Sequence, residues 1–155
     1  MAHVEEEEKR TREGILRPKY ETEEDRNREA VVLSSVCRSW ECAAYKLPDR
    51  YEFDYLLMRK KEGKAWLEIK VRTNERDDYP DYMISFAKLM AARRLSEASA
   101  LPSFLLVQWV RSKGLIRLDT IKKFRLSMGG RSDRGDAQDL EPVIFIPMPD
   151  LAELE

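Results

Sequence analysis

The amino-acid sequence predicts an α/β domain, an α+β sandwich in which helices flank a mixed β-sheet core. The chain has 155 residues, enough for one domain with a hydrophobic core. Hydrophobic residues make up 43% of it and charged residues 37%, which is typical of a globular protein with a strongly charged surface. Between residues 65 and 110, the order strand, helix, strand is typical of a βαβ crossover. We place a single domain at residues 21–150 and expect the acidic segment 1–20 to be mostly disordered.

The first helix is predicted to begin near Thr22, where Thr22 and Asp25 have the spacing of a capping box. One face of this helix carries residues at helical spacing: Glu29, Leu33, Val36 and Trp40. Burial of an unpaired carboxylate is costly, so Glu29 on an apolar face needs a reason. Either it lies at the rim and reaches water, or it has a function.

A β-hairpin is predicted next, from a strand at residues 51–59, a three-residue loop at 61–63 and a return strand at 65–72. Gly63 is expected to take the left-handed position of the loop. The return strand alternates, so one face has Ala65, Leu67, Ile69 and Val71, and the other has Trp66, Glu68, Lys70 and Arg72.

This loop length predicts the register of the hairpin. It pairs Lys60 with Lys64, and therefore sets Asp54 opposite Lys70 and Leu56 opposite Glu68. Asp54, Glu68 and Lys70 would then project from one sheet face within a few ångströms of one another. A one-residue slip or a bulge would break this arrangement.

The remaining elements complete the predicted sheet. A second helix is expected at residues 82–98, and a strand buried on both faces at 103–110. Asp119 is expected to cap a short helix that carries Lys122 and Lys123. Further strands are predicted at residues 115–118 and 143–146, with a polar loop at 129–139 between them.

Several classes of function are disfavoured by composition. Cys37 and Cys42 are too few for a disulfide framework, and with His3 as the one histidine a structural zinc site is not expected. No apolar run is long enough to span a membrane, and the N-terminus does not resemble a secretory signal, so a cytoplasmic location is expected. The net charge is −1, yet residues 59–76 hold seven Lys/Arg against three Glu. This basic stretch suits phosphate binding, and equally an ordinary solvated surface.

The three residues gathered by the hairpin suit phosphodiester hydrolysis. Asp54 and Glu68 would supply hard oxygen ligands for Mg²⁺ or Mn²⁺, with the Ile69 backbone carbonyl as a further ligand. Such an ion activates water and offsets charge on the phosphate. Lys70 would orient or deprotonate the water, or neutralise the transition state. The alternative is three solvent-facing polar residues on an amphipathic hairpin.

The pattern of residues 51–54 (Tyr-Glu-Phe-Asp) and 67–70 (Leu-Glu-Ile-Lys) resembles the PD-(D/E)XK nuclease superfamily, although Phe53 replaces the family's proline. The order of elements over residues 22–110 resembles it too, which implies a restriction-endonuclease-like fold. Many members carry a glutamate on the first helix that points into the metal site, and Glu29 is the matching residue. Residues 129–134 and 141–142 resemble small phage-encoded nucleases.

The resemblance implies a Mg²⁺- or Mn²⁺-dependent DNA endonuclease, in phage recombination, repair or genome processing. Residues expected to lie near the DNA phosphates are Arg72, Ser85, Lys88 and Arg131. A homodimer is implied because relatives that cut two strands often work in pairs. The alternatives are a catalytically inactive nucleic-acid-binding relative and a non-enzymatic adaptor domain. Stacking of Tyr79, Tyr82 or Trp109 on unpaired bases is a further option, against ordinary packing.

Overall fold

The computed structural model describes residues 22–130 and 140–155. Its elements are α1 (Glu23–Trp40), β1 (Ala43–Lys46), β2 (Tyr55–Arg59), β3 (Glu62–Val71), β4 (Asp81–Ser85), α2 (Phe86–Ser99), β5 (Ser103–Gln108), β6 (Lys113–Arg117), β7 (Arg125–Gly130), β8 (Leu140–Pro147) and β9 (Ala152–Leu154). The predicted disordered segment 1–20 lies outside the described residues. Neither helix of the described chain has the length and apolar character needed to cross a membrane.

A six-stranded mixed sheet forms the centre of the fold, in the order β1-β2-β3-β5-β6-β9. Strands β3 and β5 are parallel, and α2 lies between them in sequence, so the predicted βαβ crossover is confirmed. The other pairs in this sheet are antiparallel. A second sheet of three antiparallel strands, in the order β4-β8-β7, was not predicted.

Each face of the six-stranded sheet packs against one helix, as predicted. On one face, Val32 and Val36 of α1 pack with Leu67, Ile69 and Leu106. The other face packs α2 and the inner side of the second sheet against β5. Residues of that core include Leu89, Ala92, Leu105, Val107, Ile144 and Ile146.

The predicted start of α1 is confirmed. Thr22 accepts a hydrogen bond from the Asp25 N–H, and the Asp25 side chain accepts one from the Thr22 N–H, so both members of the capping box are present. The helix ends at Glu41, whose left-handed backbone (φ 51°) turns the chain into β1.

The hairpin differs from the prediction in two places. Its turn has two residues, Lys60 and Lys61, both with left-handed backbone (φ 51° and 65°), and the predicted left-handed Gly63 is therefore wrong. The ladder pairs Leu57 with Ala65 and Met58 with Gly63, which leaves a bulge at Lys64. Strand β2 also begins at residue 55 rather than 51.

The two differences compensate for one another. Without the bulge, a two-residue turn would set Asp54 opposite Leu67, on the apolar face. With it, Tyr55 pairs with Leu67, so the next position brings Asp54 opposite Glu68. The predicted pairing of Asp54 with Lys70 is wrong by two residues, and a two-residue shift keeps every side chain on its predicted face.

Two helix predictions are corrected. Residues 82–85 belong to β4, and α2 begins at Phe86 with Ser85 as its N-cap. Strand β4 pairs antiparallel with β8, and that pairing decides between strand and helix. Asp119 caps no helix. Its carboxylate accepts from the Ser103 N–H at 3.0 Å and from Arg117, which ties the end of β6 to the start of β5.

Two of the aromatic side chains considered for base stacking are core residues. Tyr82 exposes 6% of its surface and Trp109 2%, and their rings meet edge to face with centroids 6.0 Å apart. Tyr79 remains exposed.

Candidate active site

Asp54 lies immediately before β2, and two hydrogen bonds fix it there. Its carboxylate Oδ2 accepts from the Ile69 backbone N–H at 3.0 Å. Its backbone oxygen accepts from the Leu47 N–H at 2.9 Å, which ties it to the strand-end beyond β1. The Asp54 side chain is 24% exposed, so one end of the carboxylate reaches the surface.

Glu68 and Lys70 occupy neighbouring positions on the same face of β3. Glu68 is 3% exposed, and its Oε1 lies 2.8 Å from Lys70 Nζ. A second ammonium, that of Lys88 on α2, lies 3.0 Å from Glu68 Oε2. Both oxygens of this buried carboxylate are therefore ion-paired, as burial of a charge requires.

The pKa values of Asp54 and Glu68 are shifted in opposite directions. Burial, together with the negative charge of Glu68, raises the pKa of Asp54 to about 6. Burial also opposes ionisation of Glu68, but the ammonium groups of Lys70 and Lys88 outweigh it and hold the pKa of Glu68 below its ordinary value. The two carboxylates thus form a like-charge pair in which Asp54 is the less stable anion.

Lys70 is held as a cation in this environment. Burial disfavours the ammonium form, but the charges of Glu68 and Asp54 outweigh burial and raise the pKa of Lys70. Its side chain is 43% exposed, so water screens part of this attraction.

Glu29 reaches the edge of the site without joining the two carboxylates directly. Its Oε1 accepts a hydrogen bond from the Tyr55 hydroxyl at 2.6 Å. Lys46 Nζ lies 3.7 Å from Glu29 Oε1 and 3.7 Å from Asp54 Oδ1, so this ammonium bridges Glu29 to Asp54. Glu29 is 12% exposed, and its position on the apolar helix face is explained by these two partners.

Lys46 and Tyr55 were missed by the sequence reasoning. Lys46 lies on β1, a four-residue strand whose sequence has no clear alternation of polar and apolar residues. Tyr55 directly follows Asp54 and belongs to the face of β2 that packs against α1. The one available signal was proximity: both residues flank the turn that carries Asp54.

The residues predicted near phosphate have different surroundings. Lys88 pairs with Glu68 and donates to the Glu52 backbone oxygen. The Ser85 hydroxyl accepts from the Ala87 N–H and donates to Glu141 at 2.9 Å, so it caps α2. Arg72 extends from the end of β3 and donates its Nε to the Tyr82 hydroxyl at 3.0 Å. Arg131 lies outside the described residues.

A divalent cation fits the chemistry of Asp54 and Glu68. Both are hard oxygen donors, and a divalent cation between them would offset the burial and the Glu68 charge that together raise the pKa of Asp54. Among the residues the structure describes, no group of three or more His, Cys, Asp and Glu converges on one point. Asp54 and Glu68 are thus positioned to hold a cation, while Glu29 contacts Lys46 and Tyr55.

Comparisons with known proteins agree with the fold and the motif. A crystal structure of Archaeoglobus fulgidus Hjc, a Holliday junction resolvase from an archaeal hyperthermophile, is similar over 84% of this chain and 92% of that one, with a TM-score of 0.56 and 11% sequence identity. At that identity the likeness concerns the fold, which confirms the predicted architecture. No curated protein sequence matches the chain significantly. The model of the family described as "Phage putative PDDEXK endonuclease" matches residues 15–154, and the chain therefore belongs to that family.

Proposed function

We propose that the protein is a Mg²⁺- or Mn²⁺-dependent endonuclease that hydrolyses DNA phosphodiester bonds. The observation that carries this proposal is the pair of partly and fully buried carboxylates, Asp54 and Glu68, beside the cationic Lys70. Like charges are brought together in this way at sites that bind cations, and perturbed pKa values concentrate at functional sites. Membership of an endonuclease family supports the same conclusion.

Asp54 and Glu68 would hold the cation, with the Ile69 backbone carbonyl as a further ligand. When bound, the cation lowers the pKa of water and neutralises charge on the phosphate. Lys70 would donate a hydrogen bond to the attacking water and stabilise the negative charge that develops, a role that its ion pair with Glu68 supports. Glu29 acts through Lys46, which orients Asp54.

Substrate phosphates would be contacted by cationic and polar side chains on one side of this site. Arg72 continues the charged face of β3 beyond Lys70, and Lys88 and Ser85 mark the start of α2. Arg131 is a further proposed contact. A homodimer would present two such sites to two strands, in the cytoplasm of a phage-infected host and in recombination, repair or genome processing.

One observation favours a second candidate, a relative that binds nucleic acid without cutting it. Lys70 and Lys88 already pair with both Glu68 oxygens, and Lys46 approaches Asp54. A site that is neutralised by lysines has less need of a metal ion. The two candidates differ in metal binding and activity, and a third, a non-enzymatic adaptor, would bind neither metal nor DNA.

The deciding experiment incubates the protein with duplex, single-stranded and four-way-junction DNA and with RNA, in Mg²⁺, Mn²⁺ or EDTA. We expect DNA cleavage that EDTA abolishes and that Lys70→Ala reduces by about a hundredfold or more. Lys64→Ala is the matched control, because Lys64 is an exposed lysine of the same strand that pairs with Glu62. It should cleave at the wild-type rate.

Calorimetric titration with Mn²⁺ separates the alternatives. Heat of binding that Asp54→Ala removes supports the metal site. DNA binding without Mn²⁺ binding or cleavage would establish the inactive relative, and the absence of all three would establish the adaptor. Cleavage that survives both EDTA and Lys70→Ala would contradict the proposed mechanism.

A further inference from the structure

A groove lies between α1 and the ends of β3 and β5. Its volume is about 480 Å³. Side chains that line it include Arg28, Val31, Arg72, Thr73, Gln108 and Val110. We call it the Arg28 groove. Its size falls in the range of small-molecule sites, roughly 300–1,000 Å³.

The charge of the Arg28 groove is positive. Two arginines, Arg28 and Arg72, line it, and no carboxylate is among its described lining residues. Arg72 also donates its Nε to the Tyr82 hydroxyl. One terminal nitrogen of Arg28 pairs with Asp25 at 2.8 Å, while its Nε is buried and has no hydrogen-bond partner among the described residues. A buried donor without an acceptor is uncommon and costly, so Asp25 alone does not fill the hydrogen-bonding capacity of Arg28.

Two apolar residues of the Arg28 groove, one on α1 and one after β5, are open to solvent. Val31 exposes 72% of its surface and Val110 57%. Guanidinium groups beside exposed valines match the two halves of a nucleotide, because phosphate pairs with guanidinium and the face of a base packs on apolar side chains.

Two residues that line the Arg28 groove adjoin residues of the proposed site along the chain. Arg28 directly precedes Glu29 on α1. Arg72 lies two positions beyond Lys70 on the same face of β3, which corresponds to about 6.6 Å along the strand. A DNA strand whose cleaved phosphate lies at Glu68 and Lys70 would therefore bring an adjoining nucleotide to this groove.

We infer that the Arg28 groove binds one unpaired nucleotide of the substrate strand, next to the phosphate that is cut. Arg28 and Arg72 take its phosphate, and Val31 and Val110 pack against its base. This inference rests on the proposed function, because it names the place of the substrate strand at that site.

Binding in EDTA tests the groove separately from cleavage. The full-length protein is titrated with a fluorescein-labelled twelve-residue oligothymidylate between about 50 and 200 mM KCl. Arg28→Ala should weaken binding about fivefold to tenfold at the lowest salt and reduce the salt-dependence slope by about one. Val31→Asp, which adds a negative charge at an exposed position, should weaken binding at least as much. Arg38→Ala is the control, since Arg38 is an exposed arginine of the same helix.

The proposed packing of the base on Val31 and Val110 has its own test. Thymidine 5′-monophosphate should displace the oligonucleotide at lower concentration than inorganic phosphate does. Equal competition by thymidine 5′-monophosphate and inorganic phosphate would mean that Val31 and Val110 do not contact the base.

The outcomes distinguish failure of the groove assignment from failure of the proposed function. If Arg28→Ala and Val31→Asp bind with wild-type affinity and slope while wild-type protein binds and cleaves DNA, the groove assignment is wrong and the proposed function stands. If wild-type protein neither binds nor cleaves any DNA, the proposed function fails and the groove assignment fails with it. Thermal unfolding of each variant checks that loss of the Arg28–Asp25 pair has not unfolded α1.

Discussion

The two faces of strand β3 are both buried near Glu68 and are opposite in chemistry. On one face Leu67 and Ile69 expose 0% and 2% of their surface and pack against α1. On the other face Glu68 exposes 3%, with Lys70 beside it. The apolar face stabilises the fold because it removes hydrocarbon from water. The charged face opposes folding unless each desolvated charge finds a partner. One strand thus combines a stabilising surface with a costly one.

The partners on the charged face come from distant parts of the chain. Lys46 comes from β1, Lys70 from β3 itself and Lys88 from α2, and all three ammonium groups approach Asp54 or Glu68. The compensation is incomplete at Asp54, where burial and Glu68 raise the pKa to about 6. Substitution of Leu67, on the apolar face of β3, and of Asp54, beside its charged face, should therefore change stability in opposite directions.

The largest stability effect is expected on the apolar face. Leu67→Ala should lower the free energy of unfolding by about 2–5 kcal/mol, because it removes buried methyl groups and leaves a cavity. Leu67 is fully buried between α1 and the sheet. Urea unfolding followed by circular dichroism measures the loss. Leu126→Ala is the control, since Leu126 is 54% exposed and should change stability by no more than about 0.5 kcal/mol. Similar losses in the two variants would mean that α1 does not pack on β3 as described.

A gain in stability is expected on the charged face. Asp54→Asn should raise the free energy of unfolding by about 2–3 kcal/mol near pH 8 without metal, because it removes an anion that burial and Glu68 disfavour. The pKa of Asp54 is raised on folding, so between its ordinary value of 3.8 and about 6 the folded protein binds more protons than the unfolded chain. Wild-type stability should therefore fall as the pH rises through that window.

The pH dependence supplies the control for Asp54→Asn. Near pH 4 both side chains are neutral in the folded protein, and the gain should largely disappear. Asp77→Asn changes an exposed aspartate and should have little effect at either pH. Urea unfolding in EDTA at the two pH values measures both variants. Destabilisation by Asp54→Asn near pH 8, or an equal gain near pH 4, would contradict the electrostatic cost assigned to this face.

The face of each site residue could be predicted from the sequence, but the register could not. Side chains in a strand alternate with a period of two, so any shift of two residues preserves the face. The turn at Lys60 and Lys61 and the bulge at Lys64 together shift the ladder by two, from Asp54 opposite Lys70 to Asp54 opposite Glu68. Neither lysine is a residue that favours left-handed backbone, so nothing in the local sequence predicts this turn.

The second sheet and β1 were missed for a different reason. Tyr82 and Ile84 have a spacing that suits either a strand or the first turn of a helix, and only pairing with β8, some 60 positions later, selects the strand. β1 has four residues and lies at the edge of its sheet. Because β1 was not predicted, Lys46 was not recognised as a partner of Glu29, although Glu29 itself was predicted as a site residue.

The smallest effect is expected where the charged face meets solvent. Lys46→Ala should change the free energy of unfolding by less than about 1 kcal/mol, because exposed ion pairs are screened by water. Lys46 is 49% exposed and lies 3.7 Å from each of its two carboxylates. Without it, Glu29 keeps the Tyr55 hydroxyl and Asp54 keeps the Ile69 N–H. Urea unfolding of Lys46→Ala beside Lys64→Ala, another exposed lysine, measures the difference. A loss above about 2 kcal/mol for Lys46→Ala alone would mean that Lys46, rather than the buried pair at Glu68, carries most of the compensation for the charge on this face.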